Sequence, residues 1–131
     1  MPLLFKDLLK DGLLSFYVQI KGPKTFRIIK MAMDTGASYT IIPIETAIAI
    51  GYDPALSKKH IEITTASGVV ITTIIKVESV TCLGQEVKNL EIICHDLPAQ
   101  SPVKGLLGLN FLVHFPPFKE FLRKVERIAN I

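Results

Sequence analysis

Met33-Asp34-Thr35-Gly36-Ala37-Ser38 is the stretch on which the fold turns. It closes an apolar run, Ile28-Ile29-Lys30-Met31-Ala32-Met33, with an acidic residue at the point where a strand gives way to a tight turn. A carboxylate in that position needs solvent or hydrogen bonds, because an unpaired charge among apolar neighbours is costly. Gly36 lets the backbone approach closely and take unusual dihedrals, and Thr35 offers a hydroxyl to a neighbouring main chain. The stretch therefore presents Asp34 as a rigidly held acid. The bare tripeptide also describes an ordinary capped turn, so its surroundings have to decide.

Upstream, Leu14 to Ile20 and Phe26 to Met33 read as two strands joined by the turn Lys21-Gly22-Pro23-Lys24, a β-hairpin. Downstream, a short apolar strand leads to Pro43, which suits the first turn of a short helix carrying Glu45 early and ending at Gly51. His60 to Thr65 and Val69 to Thr81 are rich in Ile, Val and Thr and flank Ala66-Ser67-Gly68, which predicts a long hairpin with a mobile tip. Val87 to Cys94 supplies another strand. A loop over Asp96 to Lys104, with Pro98 and Pro102, leads into Gly105-Leu106-Leu107-Gly108, and a helix starts near Leu109. Beyond Pro116-Pro117, the residues Phe118, Phe121, Leu122, Val125 and Ile128 fall at helical spacing, with Glu120 and Lys124 as an i,i+4 pair. No linker, internal repeat or βαβ alternation appears. The expectation is one mainly-β domain with two or three short helices.

Composition agrees. The chain has 131 residues, 49% hydrophobic and 21% charged, enough for a core of its own. Fifteen Lys and Arg against twelve Asp and Glu give a net charge of +3 without a basic stripe, so nucleic acid and anionic membranes are not expected partners. Lys58-Lys59-His60 is the one compact basic cluster, lacks interleaved aromatics and reads as a solvated loop. Mean hydropathy is +0.40, yet no apolar run reaches the ~18 residues of a membrane span. Lys6, Asp7, Lys10 and Asp11 interrupt the N-terminal leucines, so no signal peptide is expected and the cytosol is the default compartment. Surplus apolar character then suggests a face buried against another subunit.

Neither a metal nor a cofactor is suggested. Cys94 and His95 are strand neighbours that point to opposite faces, with no CxxC or HxxxH beside them. His60, His95 and His114 stand singly among apolar residues and are left out of the site. A turn at Gly84-Gln85 would pair Leu83 with Glu86 and place Cys94 opposite Ile75, seven residues from Cys82. At ~3.3 Å per residue that is roughly 23 Å, too far for a disulfide. Gly105-Leu106-Leu107-Gly108 lacks the Lys-Ser/Thr of a phosphate-binding loop.

Asp34-Thr35-Gly36-Ala37-Ser38, followed by Gly105-Leu106-Leu107-Gly108-Leu109-Asn110-Phe111-Leu112 with a β-rich chain between, resembles the retropepsin-like aspartic proteases. The resemblance covers roughly Leu13 to Phe115 and implies a closed β-barrel acid-protease fold. It casts Asp34 as catalytic and Thr35, Gly36 and Ala37 as the active-site loop. Leu106, Leu107 and Gly108 would support the ψ-shaped core beneath that loop, and Ala66, Ser67 and Gly68 would be the tip of a flap over the substrate. The chain would divide into an N-terminal segment over 1–12, a protease domain over 13–115 and a C-terminal amphipathic helix over 116–131.

Aspartic-protease hydrolysis uses two carboxylates sharing one proton, one activating water and the other polarising the scissile carbonyl. This chain has a single Asp-Thr-Gly, since Asp7, Asp11, Asp53 and Asp96 are not followed by Thr-Gly. The resemblance therefore implies a homodimer with one Asp34 per subunit, acting on extended peptides as an endopeptidase. Like charges that close cannot both ionise, so the pair titrates as a unit. Thr35 would lock the two loops across the axis. Ala37 stands where pepsin-like enzymes have a hydroxyl, which implies activity at weakly acidic pH. Ile42, Ile71, Ile74, Leu106 and Leu107 are apolar candidates for pockets, none assigned a binding role. Two features depart from the family: Pro116-Pro117 with a helix in place of a closing β segment, and a leading segment, Pro2 to Lys10, able to pack on the partner. The other open reading is a retropepsin-like module that dimerises or binds peptide without cutting it, with Asp34 a structural acid.

Overall fold

The computed structural model describes residues 14–120 and Arg123. In chain order they form β1 (Ser15–Lys21), β2 (Phe26–Met33), β3 (Thr40–Ile42), α1 (Ile44–Ala49), a 3-10 turn (Pro54–Leu56), β4 (His60–Thr65), β5 (Gly68–Cys82), β6 (Gln85–Cys94), β7 (Gly105–Leu107) and α2 (Leu109–Leu112). A last helix, α3, begins over 116–120, with proline in its first turn where the missing N–H has no intrahelical partner to lose.

The strands run in the order β1-β2-β7-β3-β6-β5-β4, and β1 also pairs with β5 through Gln19–Thr81, Ile20–Val80 and Lys21–Ser79. Six strands thus close into a barrel, and β4 hangs outside the ring, paired only with β5. Side-chain alternation fills the interior. Along β1, Val18 and Ile20 are fully buried while Tyr17, on the opposite face, is exposed and Gln19 between them is half-buried. Ile42, Val77, Val80, Ile92, Leu107 and Phe111 complete the same core.

β5 changes character along its length. From Gly68 to Thr73 it is exposed or half-buried and pairs with β4, whereas from Ile74 onward it is largely buried in the barrel wall between β1 and β6. The β4–β5 hairpin therefore projects from the barrel as a flap, rooted where the Ser57 hydroxyl donates to the Ile74 carbonyl at 2.7 Å and Lys59 pairs with Glu91.

Both strands of the first hairpin, the short strand before Pro43 and the helix after it fall where the sequence puts them. Gly51, with φ of +112°, follows α1 in a conformation that favours glycine. The turn between β5 and β6 differs. Its central residues are Leu83 (φ 47°) and Gly84 (φ 83°), the doubly left-handed geometry of a tight hairpin turn, and Cys82 pairs with Gln85. The register moves by two residues, so Cys94 lies opposite Thr73 instead of Ile75. Both cysteines are free and buried. The flap loop is shorter than expected as well: Thr65 pairs with Gly68, leaving Ala66-Ser67 as the loop and Gly68 as the first residue of β5. Glu120 receives its hydrogen bond from Arg123 at 3.0 Å. The segment 1–12 and the helical positions Phe121, Leu122, Lys124, Val125 and Ile128 lie outside the described residues.

Candidate active site

Two strand ends create the site. β2 runs parallel to β7, pairing Met31 with Gly105, Ala32 with Leu106 and Met33 with Leu107, and β3 crosses back to pair Ile41 with Leu106. The chain thus leaves the barrel at the end of β2, turns through Asp34 to Tyr39 and re-enters as β3 on the other side of β7. This crossing is the ψ arrangement. It requires close backbone approach, and both glycines of Gly105-Leu106-Leu107-Gly108 stand at the contacts. A Cβ on Gly105 would overlap the Ile41 carbonyl oxygen, and one on Gly108 would overlap the Tyr39 carbonyl.

Hydrogen bonds fix the Asp34 loop at both ends. The Asp34 N–H donates to the Leu107 carbonyl at 2.9 Å, continuing the β2–β7 pairing one residue further. Gly36 N–H donates to Asp34 Oδ1 at 2.8 Å, and Ala37 N–H to the Asp34 carbonyl at 3.2 Å. The carboxylate is thereby oriented by its own loop. On the far side, Leu109 N–H donates to the Ala37 carbonyl at 2.8 Å and Asn110 N–H to that of Ser38 at 3.2 Å. Asp34 is half-buried, while Thr35 and Gly36 are exposed.

Beneath the loop lies a polar cluster that sequence reasoning did not assign. Thr40, fully buried, donates to Asn110 Oδ1 from both its N–H (2.9 Å) and its hydroxyl (3.0 Å). The same hydroxyl accepts from Gly108 N–H at 3.2 Å, and Asn110 Nδ2 donates to the Glu91 carbonyl at 2.7 Å. Four segments, β3, β6, the end of β7 and α2, are tied together under the catalytic candidate. Among the described residues no buried side-chain polar atom lacks a partner, so this cluster meets the requirement for a buried polar network. Its signal in the sequence is a lone amide within the apolar run Leu106 to Leu112.

Asp34, Gly36 and Ala37 line a cleft of about 790 Å³ whose roof is the flap. The flap contributes Ile61 and Ile63, half-buried, together with Ala66 and Ser67 at its tip. Gly68 is not part of the lining. Leu106 reaches the cleft, whereas Leu107 is fully buried and Gly108 acts from behind the loop. Of the other apolar candidates, Ile42 and Ile74 belong to the core and Ile71 is exposed on the flap. His95, set aside by the sequence, does line the cleft: β6 runs parallel to β3 and carries the chain past Ile42, whose carbonyl accepts from His95 N–H at 3.0 Å, to the cleft's edge. Among the described residues no group of three or more His, Cys, Asp or Glu is placed to hold a metal ion.

Residues 18–114 match the family model described as "gag-polyprotein putative aspartyl protease". No curated protein matches significantly. Among solved structures, the chain is similar to a retropepsin-like aspartic protease from Rickettsia conorii, with a TM-score of 0.62 and 27% identity over 81% of this chain and 74% of that one.

Proposed function

The chain belongs to the gag-type, retroviral-like aspartyl protease family, and from that premise we propose that it is a homodimeric aspartic endopeptidase. Two copies of Asp34, one from each subunit, would meet at a two-fold axis and share a proton. The ionised member takes a proton from a water held between them as that water attacks the scissile carbonyl. The protonated member donates to the carbonyl oxygen. No covalent intermediate and no cofactor is needed.

The observation that carries this reading is the situation of Asp34 itself: a backbone-clamped carboxylate on the floor of a cleft roofed by a flap. Each neighbour has a part consistent with it. Thr35 is exposed in the single chain, as a side chain that bonds its counterpart across an axis would be. Gly36 leaves free the space where a Cβ would stand 3.2 Å from Asp34 Oδ1, beside the position of the attacking water. Ala66 and Ser67 supply main-chain donors and acceptors for a peptide lying as an added strand.

Cleavage of a mixed peptide library by the wild type and by Asp34→Asn, at high protein concentration and from about pH 4 to 7, tests the proposal. The asparagine keeps an oxygen for Gly36 N–H, so the loop is retained. Cuts by wild type alone, with turnover falling at least about a hundredfold in the variant, are expected. Equal cutting by both, or none by folded dimers of either, would overturn it.

A further inference from the structure

The net charge of +3 is unevenly placed. From Leu14 to Met33 the chain holds Lys21, Lys24, Arg27 and Lys30 and not one Asp or Glu. Apolar residues separate the four, so they form no basic stripe in the sequence. Strand pairing gathers them on the β1–β2 hairpin, and none makes an ion pair among the described residues.

Residues directly opposite each other share a face of the sheet. The outer face of the hairpin therefore carries Tyr17 opposite Lys30, Gln19 opposite Ile28 and Lys21 opposite Phe26, while Val18 and Ile20 turn into the core. Tyr17 is 72% exposed, Ile28 58% and Phe26 49%. On the other side of β1, Gln19 pairs with Thr81 of β5, and the same register carried two residues further brings Tyr17 level with Leu83 in the β5–β6 turn. Leu83 is 62% exposed with φ of 47°, in a kind of position that Asn, Asp or Gly normally fills. Nothing in the turn's own geometry calls for a leucine, and its side chain is not part of the core.

The patch thus combines exposed apolar side chains with unpaired cations. Acidic side chains stand at its margins: Glu86 opposite Thr81, matched by Lys88 opposite Ser79, and Glu78, whose N–H donates to the Tyr52 hydroxyl at 3.1 Å.

We propose that this face docks peripherally on a membrane surface bearing anionic lipids. Lys21 and Lys30, with Lys24 and Arg27 at the hairpin's end, meet the headgroup charges. Tyr17, Phe26, Ile28 and Leu83 enter the interfacial layer, where aromatic and aliphatic side chains lie beside lysines. Charge and shape speak against other occupants. Like charges keep the same face of a second copy away, and the aliphatic Ile28 and Leu83 offer a nucleic acid neither a charge nor a ring to stack on. Phe26 stands eight residues before Asp34 on β2, about 26 Å at ~3.3 Å per residue, so the turn end of the patch is remote from the cleft. The inference is independent of the endopeptidase reading.

Flotation of the full chain with vesicles tests it, one set of phosphatidylcholine alone and one of equal parts phosphatidylcholine and phosphatidylserine. Wild type is expected to bind the mixed vesicles at least about tenfold more tightly than the neutral ones. Two paired variants separate the two chemistries. Lys21→Gln with Lys30→Gln should weaken binding to the mixed vesicles by about tenfold or more, the loss of two headgroup contacts. Ile28→Thr with Leu83→Asn should weaken it by at least about fivefold. That pair should not lower the melting temperature, since threonine suits an exposed strand and asparagine a left-handed turn. A folded wild type that binds neither vesicle, or vesicle binding unchanged in either paired variant, would overturn the inference. Tighter binding of a single-stranded oligonucleotide than of the vesicles, indifferent to the Ile28→Thr and Leu83→Asn pair, would overturn it in favour of a nucleic-acid surface.

Discussion

Asn110 and Thr40, seventy positions apart in the chain, are joined by two hydrogen bonds to one oxygen: Asn110 Oδ1 accepts from the Thr40 N–H and from its hydroxyl. The pair lies directly below the Asp34 loop and fastens α2 to β3, so it converts a local turn into a fixed platform. A loop held only by its own Gly36–Asp34 bond would be free to tilt.

Breaking this pair should be expensive. Asn110→Leu strands the Thr40 N–H, the Thr40 hydroxyl and the Glu91 carbonyl, and we expect a loss of about 3 kcal/mol in denaturant unfolding, each stranded group costing about 1–3 kcal/mol at most. Thr40→Val should cost about 2 kcal/mol, and the double variant less than the sum of the two, because both remove the bond between the Thr40 hydroxyl and Asn110 Oδ1. Additive losses in a double-mutant cycle would show that the two residues act independently.

The glycines divide into two classes. Gly105→Ala and Gly108→Ala drive a Cβ into rigid main chain and should abolish soluble folded protein or cost several kcal/mol, about 3 or more. Gly36→Ala meets only the Asp34 carboxylate oxygen at 3.2 Å, so a folded protein with impaired turnover is expected. Thermal melts set beside peptide cleavage would separate the two classes, and a well-folded Gly108→Ala chain would contradict the ψ crossing as described.

Burial pushes the Cys82 and Cys94 thiols up to about 11 from 9.0. In the unfolded chain these thiols ionise at lower pH than in the native protein, so the unfolded state binds fewer protons between about pH 9 and 11, and native stability must fall as pH rises through that window. Urea midpoints measured from pH 8 to 10.5 should decline, and Cys82→Ala with Cys94→Ala should flatten the decline. Native protein at pH 8 should resist iodoacetamide and react once unfolded. Rapid native alkylation would refute the burial.

Much of this was legible from local signals. The apolar run before Asp34, the Gly-Pro turn after β1, the Pro43 helix start and the β-branched flap strands all declare themselves within a few residues. What stayed hidden depends on distant partners. Closure of the barrel through Gln19–Thr81 to Lys21–Ser79 leaves no mark in either strand alone. Leu83 at φ 47° is an unusual residue for a left-handed turn, and the nearby Gly-Gln pair reads as the better turn until the ladder is seen. Asn110 looks like a surface amide within a helix, and only β3 brought alongside makes it a clamp. His95 reads as a lone histidine at a strand end and Asp96 as a loop residue, because the cleft they border is built by the flap, a hairpin thirty residues away in sequence.

The central claim is that one active site is assembled from two chains, and mixing tests it most directly. Wild type and Asp34→Asn are refolded together at fixed total concentration well above the dimer dissociation constant, and peptide cleavage is followed as the fraction of wild type varies. Random pairing by mass action leaves about a quarter of the dimers with two intact Asp34 residues in an equal mixture, so activity should follow the square of the wild-type fraction. A linear decline, with about half the activity remaining in that mixture, would mean that each chain works alone and that the shared-carboxylate account is wrong.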